Sequence, residues 1–320
     1  MSSIINSRYF EIPICSIKED SKVPFNIFRE ENKHYKLILE ENDNFPKNLP
    51  TLLRQSSNHS MFILGRDKKK YYHYLETILG DITKDKHVPL QEKSKLIYDT
   101  SSNIINDLFK KPESRESIER SKSLVSNTIN VILSSDSSIK SMMEIGSHDY
   151  YTYTHSVDVA VFSIGFANYL NYSYENISDI GYASMMHDIG KSRISSEIIN
   201  KKGKLNEDEF NIMKNHPIYS YEILQFHGET NEDILKPARN HHEKALGNGY
   251  PDKLIAPRTH EFAKIVTISD IFSALTTKRS YKEAYTTFEA LSLMKTKMIN
   301  DIDKNLFLEF IKFMTLTSRS

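Results

Sequence analysis

The stretch IGYASMMHDIGKS, residues 180–192, places a histidine and an aspartate at the end of an apolar run. The run predicts a buried helix that ends near Gly190. Burial of His187 and Asp188 in such a run is unfavourable unless both side chains are hydrogen-bonded or bind a metal ion. The pair therefore predicts either a satisfied polar pair in the core or part of a metal site.

Four further segments place polar side chains in or beside predicted helices. His155 opens HSVDVAVFSIGFANYL, which predicts an apolar helix, and Asp270 lies within the apolar run AKIVTISDIFSALTT. His216 precedes a proline that is suited to the first turn of a helix. Each placement has an ordinary explanation when taken alone, such as an N-cap role for Asp270. The remaining candidates are the adjacent His241 and His242 in NHHEKALGNGYP.

Taken together, these five segments predict a metal centre. Imidazole ligands favour Fe, Mn, Zn, Ni or Cu, whereas Ca and Mg sites are built mainly from oxygen. Five imidazoles and two carboxylates exceed the shell of one zinc ion. They suit two metal ions about 3.5–4 Å apart that share a ligand, an arrangement that activates water and stabilises the oxygens of a phosphoester displacement.

Composition limits the other classes of function. The chain has 320 residues, a formal net charge of zero, 39% hydrophobic and 26% charged residues, which is typical of a folded protein. Without an excess of Lys and Arg, we expect no binding to polymeric nucleic acid. Cys15 is the single cysteine, which indicates a reducing compartment. No signal peptide or spanning apolar run is evident, so we expect no membrane association and a cytoplasmic location.

The character of the sequence changes along the chain. Residues 1–85 contain short runs rich in Tyr, Phe and Ile, such as HYKLILE and SMFILG, and predict a small α/β regulatory domain. Residues 86–140 predict a helical connector that is interrupted at Pro112. Its apolar stripe suits pairing with a second chain in a homodimer. Residues 141–320 predict a helical catalytic domain, so the expected fold class is mainly α.

The ordered motifs HDIGK, YTYTHS, HP, HHE, GNGYP and SDIFSALTTKRSY resemble the HD-GYP family of cyclic di-GMP phosphodiesterases over about residues 145–285. The resemblance implies an HD-type helical bundle around a centre of two transition-metal ions, with Fe or Mn preferred over Zn, Ni or Co. It implies that Asp188 bridges the two ions. It assigns His155, His187, Asp188 and Asp270 to one metal, and His216, His241 and His242 to the other.

The same resemblance implies how substrate binds. Lys191 follows Asp188 by one helical turn and would face the substrate phosphate. Arg279 and Lys282 match basic positions of the family and would hold phosphate. Tyr250 either borders a purine or is simply a packed loop residue. The implied reaction is hydrolysis of cyclic di-GMP to linear pGpG, with GMP after a second cut.

Two positions depart from the family pattern. Leu246 replaces the aspartate that usually precedes the first glycine of GNGYP, which bears on loop hydrogen bonding and on signalling-protein partners at this loop. Tyr151 occupies the position where some members carry a glutamate for a third metal, so we expect two metals. Two alternatives stay open: a hydrolase of another cyclic dinucleotide such as cyclic GMP-AMP, and a weakly active cyclic-dinucleotide sensor.

Overall fold

The computed structural model describes residues 8–54, 61–135, 137–146, 152–278 and 283–319. The chain divides into two compact units, residues 1–100 and residues 101–320. The prediction of a mainly α protein with a small N-terminal sheet is confirmed. The finer division at residues 85 and 140 remains a prediction.

The first unit contains one antiparallel sheet of four strands in the order β1-β4-β2-β3. Alternate side chains of a strand point to opposite faces, and accordingly Met61 and Ile63 are buried whereas Phe62 between them is half-buried. Phe62 lies opposite Phe28 of the neighbouring strand. The strands are β1 (Tyr9–Ile12), β2 (Ile27–Glu31), β3 (His34–Leu39) and β4 (Met61–Leu64).

Two helices of the first unit follow the predicted pattern. Helix α1 (Leu49–Arg54) precedes β4, and helix α2 (Lys68–Lys84) follows it. Leu75, Ile78 and Ile82 of α2 recur at helical spacing and are buried. The periodicity of apolar residues was therefore sufficient to predict this helix.

The connector consists of two helices with the expected break between them. Helix α3 (Leu90–Lys110) contains the boundary between the two units, and helix α4 (Arg115–Ile132) begins after Pro112. The Ser114 side chain caps α4 by accepting a hydrogen bond from the backbone of Ser117. The apolar stripe of α4 is buried within a single chain, where it packs against the helix Tyr174–Met186.

The second unit is a bundle of helices. At its centre, α6 packs against α7 and α12, while α11 packs against α7, α10 and α12. Helices α6 and α12 are apolar on almost every side, which is expected for helices enclosed by others. The helices are α5 (Ser138–Gly146), α6 (Thr152–Tyr169), α7 (Tyr174–Met186), α8 (Ser196–Ile199), α9 (Glu207–Met213), α10 (His216–Phe226), α11 (Glu232–Asn240), α12 (Glu261–Thr276), α13 (Thr287–Leu293) and α14 (Lys304–Arg319).

This arrangement brings the polar positions of the central helices into the core. His155 lies in the first turn of α6 and Asp270 lies in the interior of α12, so the alternative N-cap interpretation of Asp270 is wrong. Pro217 occupies the first turn of α10, as predicted. Over the described residues, no helix is both long enough and apolar enough to cross a membrane.

Candidate metal centre

The HD dipeptide lies at the junction between α7 and a short 3-10 helix, Ile189–Arg193. Helix α7 ends at Met186, four residues before the predicted end at Gly190, so His187 and Asp188 follow the helix directly. A Cβ atom at Gly190 would lie 2.0 Å from the carbonyl oxygen of His216. Only glycine fits this contact, which places the start of α10 directly against the HD turn.

Ser220 of α10 fixes the same turn by two hydrogen bonds. Its hydroxyl donates to the carbonyl oxygen of His187 at 2.6 Å and accepts from the backbone N–H of Gly190 at 2.8 Å. Ser220 is fully buried, so both bonds replace contacts with water. The backbone that carries His187 and Asp188 is thereby held by a different helix.

Three of the histidines share one orientation. The Nδ1 atom of each lies at the backbone carbonyl three residues earlier, at 2.6 Å for His187, 2.7 Å for His216 and 3.0 Å for His241. A carbonyl oxygen accepts only, so Nδ1 must carry the proton. The Nε2 atom is then left with a free lone pair, which is the form in which imidazole binds a metal ion.

The first group of candidate ligands consists of His155, His187 and Asp188. All three are buried, and one ligand atom of each lies within 4.8 Å of the others. His155 is oriented by α12: its Nε2 lies 2.9 Å from Asp270 Oδ1, and its Nδ1 lies 3.0 Å from Ser273 Oγ. Asp270 therefore belongs to the surroundings of this group.

The second group consists of His216, His241 and His242, with ligand atoms again within 4.8 Å of one another. The Nε2 atoms of His216 and His241 are 3.2 Å apart. Asp188 Oδ1 lies 3.2 Å from Nε2 of His216 and 4.0 Å from Nε2 of His241. Since Asp188 Oδ2 lies 3.4 Å from Nε2 of His187, one carboxylate contacts both groups.

Two buried atoms of the centre test whether a metal ion fits. His187 Nε2 and Asp188 Oδ1 have no well-aligned hydrogen-bond partner among the described residues, although both are inaccessible to water. Such atoms are costly in a folded protein unless something else satisfies them. A mixed set of imidazoles and carboxylates that converge on these atoms fits a divalent transition metal.

Burial determines the charge state of the imidazoles. It lowers the pKa of His242 to about 3, and it lowers the pKa of His241 well below the ordinary value, where neighbouring histidines lower it further. Burial also lowers the pKa of His155 and of His216. For His187, burial acts in the same direction, but the charge of Asp188 outweighs it and the pKa is raised. Four of the five imidazoles are therefore held neutral, as metal binding requires.

The carboxylates have the opposite charge state. Burial alone would raise the pKa of Asp188, but Lys191 and His187 hold it well below the usual range. The pKa of Asp270 is lowered in the same way, chiefly by His155. Lys191 Nζ lies 2.5 Å from Asp188 Oδ2. The predicted proximity of Lys191 and Asp188 is thus observed, and the centre holds two negative charges in its core.

The GNGYP loop folds back onto the end of α11. Glu243 is buried and accepts hydrogen bonds from the backbone of Asp252 at 2.6 Å and of Leu254 at 2.9 Å. At Gly249, a Cβ atom would lie 2.4 Å from the backbone nitrogen of Lys244, so a side chain cannot be accommodated. These contacts place the ring of Tyr250 4.7 Å from the ring of His242, at an angle of 32°.

The structure brings most of the predicted site residues together, and the others lie outside the described residues or at the surface. The seven proposed metal ligands lie together, as do Lys191 and Tyr250 beside them. Arg279 and Lys282 lie outside the described residues, as does Tyr151. Leu246 is 68% exposed and pairs with Ile255 in an isolated β-bridge, so this loop position presents an apolar side chain to solvent.

Sequence reasoning missed the residues that orient the ligands. Ser220 and Ser273 were not singled out, and neither was Thr267, whose hydroxyl donates to the carbonyl oxygen of His241 at 2.7 Å. Glu243 was noted as part of the HHE motif but was given no role. A small polar residue inside an apolar helix was the available signal for the three hydroxyl residues. That signal is weak, because serine and threonine commonly bond to their own helix backbone.

A cavity of about 510 Å³ lies elsewhere in the second unit. Its lining combines apolar side chains such as Phe162 and Met314 with several threonines and with Asp158, one helical turn after His155. None of the seven proposed ligands lines it. This cavity is therefore separate from the site that the buried polar groups define.

Sequence comparisons place the chain among HD-domain proteins. A family model described as HD domain matches residues 140–306, just over half of the chain. The chain is 29% identical over 181 residues to the cyclic di-GMP phosphodiesterase PA4108 of Pseudomonas aeruginosa, covering 57% of this chain and 44% of that protein. It is 41% identical over 131 residues to the cyclic di-GMP phosphodiesterase response regulator RpfG of Xanthomonas campestris pv. campestris, covering 40% and 34%.

Two further proteins complete the comparison. The chain is 33% identical over 166 residues to 3′3′-cGAMP-specific phosphodiesterase 3 of Vibrio cholerae, covering 52% of this chain and 36% of that protein. The structure of Bd1817, an HDG"Y"P protein from Bdellovibrio bacteriovorus, matches with a TM-score of 0.67 at 20% identity over 96% of this chain and 99% of that one. This likeness shows the fold. The chain spans less than half the length of these three curated relatives.

The chain belongs to the HD domain family. Its recognition from the sequence motifs as an HD-GYP protein is confirmed. The HD domain implies divalent metal binding, and the two groups of side chains described above fit such binding.

Proposed function

We propose that this chain is a metal-dependent phosphodiesterase that hydrolyses cyclic di-GMP to linear pGpG, with GMP as the product of a second cut. The convergence of buried, neutral imidazoles on an ionised Asp188 is the observation that carries the proposal. Relatives whose names specify this activity support the choice of substrate.

The centre would hold two transition-metal ions, with Fe or Mn preferred over Zn, Ni or Co because carboxylates accompany the imidazoles. When bound, the ions would supply an activated water and positive charge at the phosphate. Asp188 would contribute one oxygen to each group. The first ion would take His155, His187, Asp188 and Asp270, and the second His216, His241 and His242.

The side chains around the ions have roles of their own. Lys191 is largely buried and its ammonium lies against Asp188, so it would present positive charge to a phosphate oxygen at the edge of the centre. Arg279 and Lys282 would grip phosphate, Arg with its planar fork and Lys as a point charge. Ser220 and Ser273 would keep His187 and His155 in position while charge develops on the phosphate.

A second candidate substrate, 3′3′-cGAMP, is suggested by the names of other relatives. Relatives from Vibrio cholerae named as 3′3′-cGAMP-specific phosphodiesterases are 33% and 34% identical to the matched part of this chain. We therefore keep 3′3′-cGAMP as the alternative substrate. The sensor alternative rests on Leu246, which changes the surface of the GNGYP loop without altering any proposed ligand.

The test is turnover by protein purified anaerobically and loaded with Mn or Fe. Cyclic di-GMP, 3′3′-cGAMP and pGpG are supplied separately, and products are separated by chromatography while metal is measured by elemental analysis. We expect about two metal ions per chain and fastest turnover of cyclic di-GMP. Faster turnover of 3′3′-cGAMP would establish the alternative substrate. Metal-loaded protein that binds cyclic di-GMP without cleaving it would establish a sensor.

We also propose that the chain has three functional parts. Residues 1–85 would act as a regulatory domain, residues 86–140 as a connector, and residues 141–320 as the catalytic domain. A homodimer would need a surface other than the apolar stripe of α4, because that stripe is buried within one chain. The exposed apolar pair Leu246 and Ile255 would meet signalling-protein partners at the GNGYP loop. Removal of residues 1–85 should retain both metals and change regulation or oligomeric state. A folded truncated protein that lost both metals would contradict this division.

A further inference from the structure

An exposed aromatic side chain lies near the metal centre without being part of it. Phe210 is in α9 and 47% of it is exposed, although burial of a phenylalanine is normally favourable. Its ring centroid lies 6.4 Å from that of Tyr250, at an angle of 83°. An edge-to-face contact of this kind holds the two rings in a defined relation.

Tyr250 connects this ring to the proposed ligands. Its ring lies 4.7 Å from that of His242 and 6.5 Å from that of His216. The three rings of His242, Tyr250 and Phe210 therefore form a row that begins at the second ligand group and ends in solvent. A substrate whose phosphate lies at the metal centre would extend along this row.

A positive charge accompanies the exposed end of the row. Lys214 Nζ lies 5.1 Å from the centroid of the Phe210 ring, and Lys214 is two residues before His216. An aromatic face beside a cation is the combination that proteins use to bind the base and the phosphate of nucleotides. The ligand chemistry indicated by this surface is that of a nucleotide.

Two other phenylalanines are even more exposed than Phe210 but have no described contact with the proposed ligands. Phe226 is 69% exposed at the end of α10, and its only described ring contact is with His227. Phe288 is 79% exposed in α13. Phe210 differs from both because its ring is joined through Tyr250 to the proposed metal ligands.

We propose that Phe210, supported by Tyr250, stacks against a purine base of the cyclic dinucleotide and so contributes to the choice of substrate. This inference rests on the proposed function, since it requires a substrate with purine bases. Phe210 is a binding residue, and its ring takes no part in the cleavage itself. Stacking of a base on an aromatic side chain contributes to affinity whatever the base, because every base has a π-face.

The test compares Phe210→Ala with Phe210→Tyr, which keeps an aromatic face, and with Phe226→Ala as the matched control for loss of an exposed phenylalanine. KM and kcat are measured for cyclic di-GMP and for methyl p-nitrophenyl phosphate, a small diester without a purine. Binding is followed separately by the fluorescence of a 2-aminopurine analogue of cyclic di-GMP, which stacking quenches. The analogue is mixed rapidly with metal-loaded protein and, at equilibrium, with metal-free protein.

We expect Phe210→Ala to raise KM for cyclic di-GMP about 10-fold, with smaller change in kcat and with weaker quenching of the analogue. Metal content and turnover of the small diester should stay as in the unaltered protein. Phe210→Tyr should restore KM, and Phe226→Ala should leave every quantity unchanged.

The experiment separates failure of the stacking role of Phe210 from failure of the proposed phosphodiesterase function. If the unaltered protein cleaves cyclic di-GMP and Phe210→Ala changes neither KM nor quenching, the inference is overturned while the proposed function stands. Loss of metal or of small-diester turnover in Phe210→Ala would also overturn it, because Phe210 would then only support the fold. Unaltered, metal-loaded protein that neither binds nor cleaves a cyclic dinucleotide would overturn the proposed function itself.

Discussion

The two ligand groups of the centre differ in charge and in exposure. The first group includes the carboxylate of Asp188 and has Asp270 beside it, and its side chains are almost fully buried. The second group consists of three imidazoles, and the side chain of His242 is 28% exposed. The second group therefore relies on Asp188 for negative charge, and it is the more accessible side of the centre.

This difference predicts unequal metal affinities. A cation is held more strongly where carboxylates offset its charge, so the first group should retain its ion longer than the second when chelator is added. Tyr250 lies next to His242, on this more exposed side of the centre. We expect substrate to reach the metal centre from the side of the second group.

The largest effect is expected when Asp188 is replaced, since its carboxylate contacts both groups. Asp188→Ala removes the shared negative charge and leaves Lys191 and the neighbouring imidazoles without their partner. We expect loss of both metals and a fall in kcat/KM of roughly 10³-fold or more. Elemental analysis and turnover measure the two effects.

Asp188→Asn is the matched variant, because it keeps the shape of the side chain and removes its charge. If the negative charge of Asp188 is needed to bind both ions, Asp188→Asn should lose metal and turnover to the same extent as Asp188→Ala. Retention of both metals with full turnover in either variant would contradict the bridging role.

The next effect separates the two groups. His241→Ala removes one imidazole of the second group. The residues of the first group lose their contacts with His241 but keep their contacts with one another. We expect metal content to fall from about two ions to about one, with turnover lower by roughly 100-fold because the second charge at the phosphate is lost. A variant that lost both ions together would show that the groups bind metal as one unit.

A smaller effect is expected from a residue that orients a ligand. Ser273 Oγ lies 3.0 Å from Nδ1 of His155, so Ser273→Ala should leave that ring less well fixed. Loss of such a partner typically lowers metal affinity or activity by about 10–100-fold. Competition with a chelator measures the affinity of the first group. Ser273→Thr, which keeps the hydroxyl, should lie closer to the unaltered protein than Ser273→Ala.

The smallest effect concerns pH and the metal-free protein. Burial lowers the pKa of His155, His216, His241 and His242 from an ordinary value of 6.5, to about 3 in the case of His242. Below pH 6.5 the unfolded chain binds protons that the folded chain does not, so stability rises with pH between about 3 and 6.5. The raised pKa of His187 acts in the opposite direction but involves one group.

We therefore expect the Tm of metal-free protein to fall by several degrees between pH 7.5 and pH 5, as measured by calorimetry. His242→Gln removes one of the titrating groups, a partly buried one, and should reduce the slope. If the slope were absent, or equal in His242→Gln, the buried neutral histidines would not be its cause. Metal-loaded protein should show a steeper loss, because protons then also compete with the ions for the imidazoles.

Much of the architecture followed from local patterns. Short runs rich in Tyr, Phe and Ile, such as HYKLILE, predicted strands, helical spacing predicted α2 and α4, and Pro112 predicted the break in the connector. These features depend on neighbours within a few residues, which the sequence displays directly. The end of α7 was misplaced by four residues because the apolar run continues through the HD turn. Ser220 of α10 holds that turn through the backbone of His187 and Gly190.

The identity of the metal-ligating residue types was also evident from sequence, because histidine and aspartate in apolar runs need partners that the runs do not contain. Their geometry was not evident. His155 and Asp270 are 115 residues apart in sequence and 2.9 Å apart in the folded chain, and the row from His242 to Phe210 arises only when α9 lies beside the GNGYP loop. Local patterns in the chain were enough to predict most helices and strands and to identify the polar groups that need partners. Which atoms meet depends on the folded arrangement, because contacts between distant segments are set by the packing of whole helices.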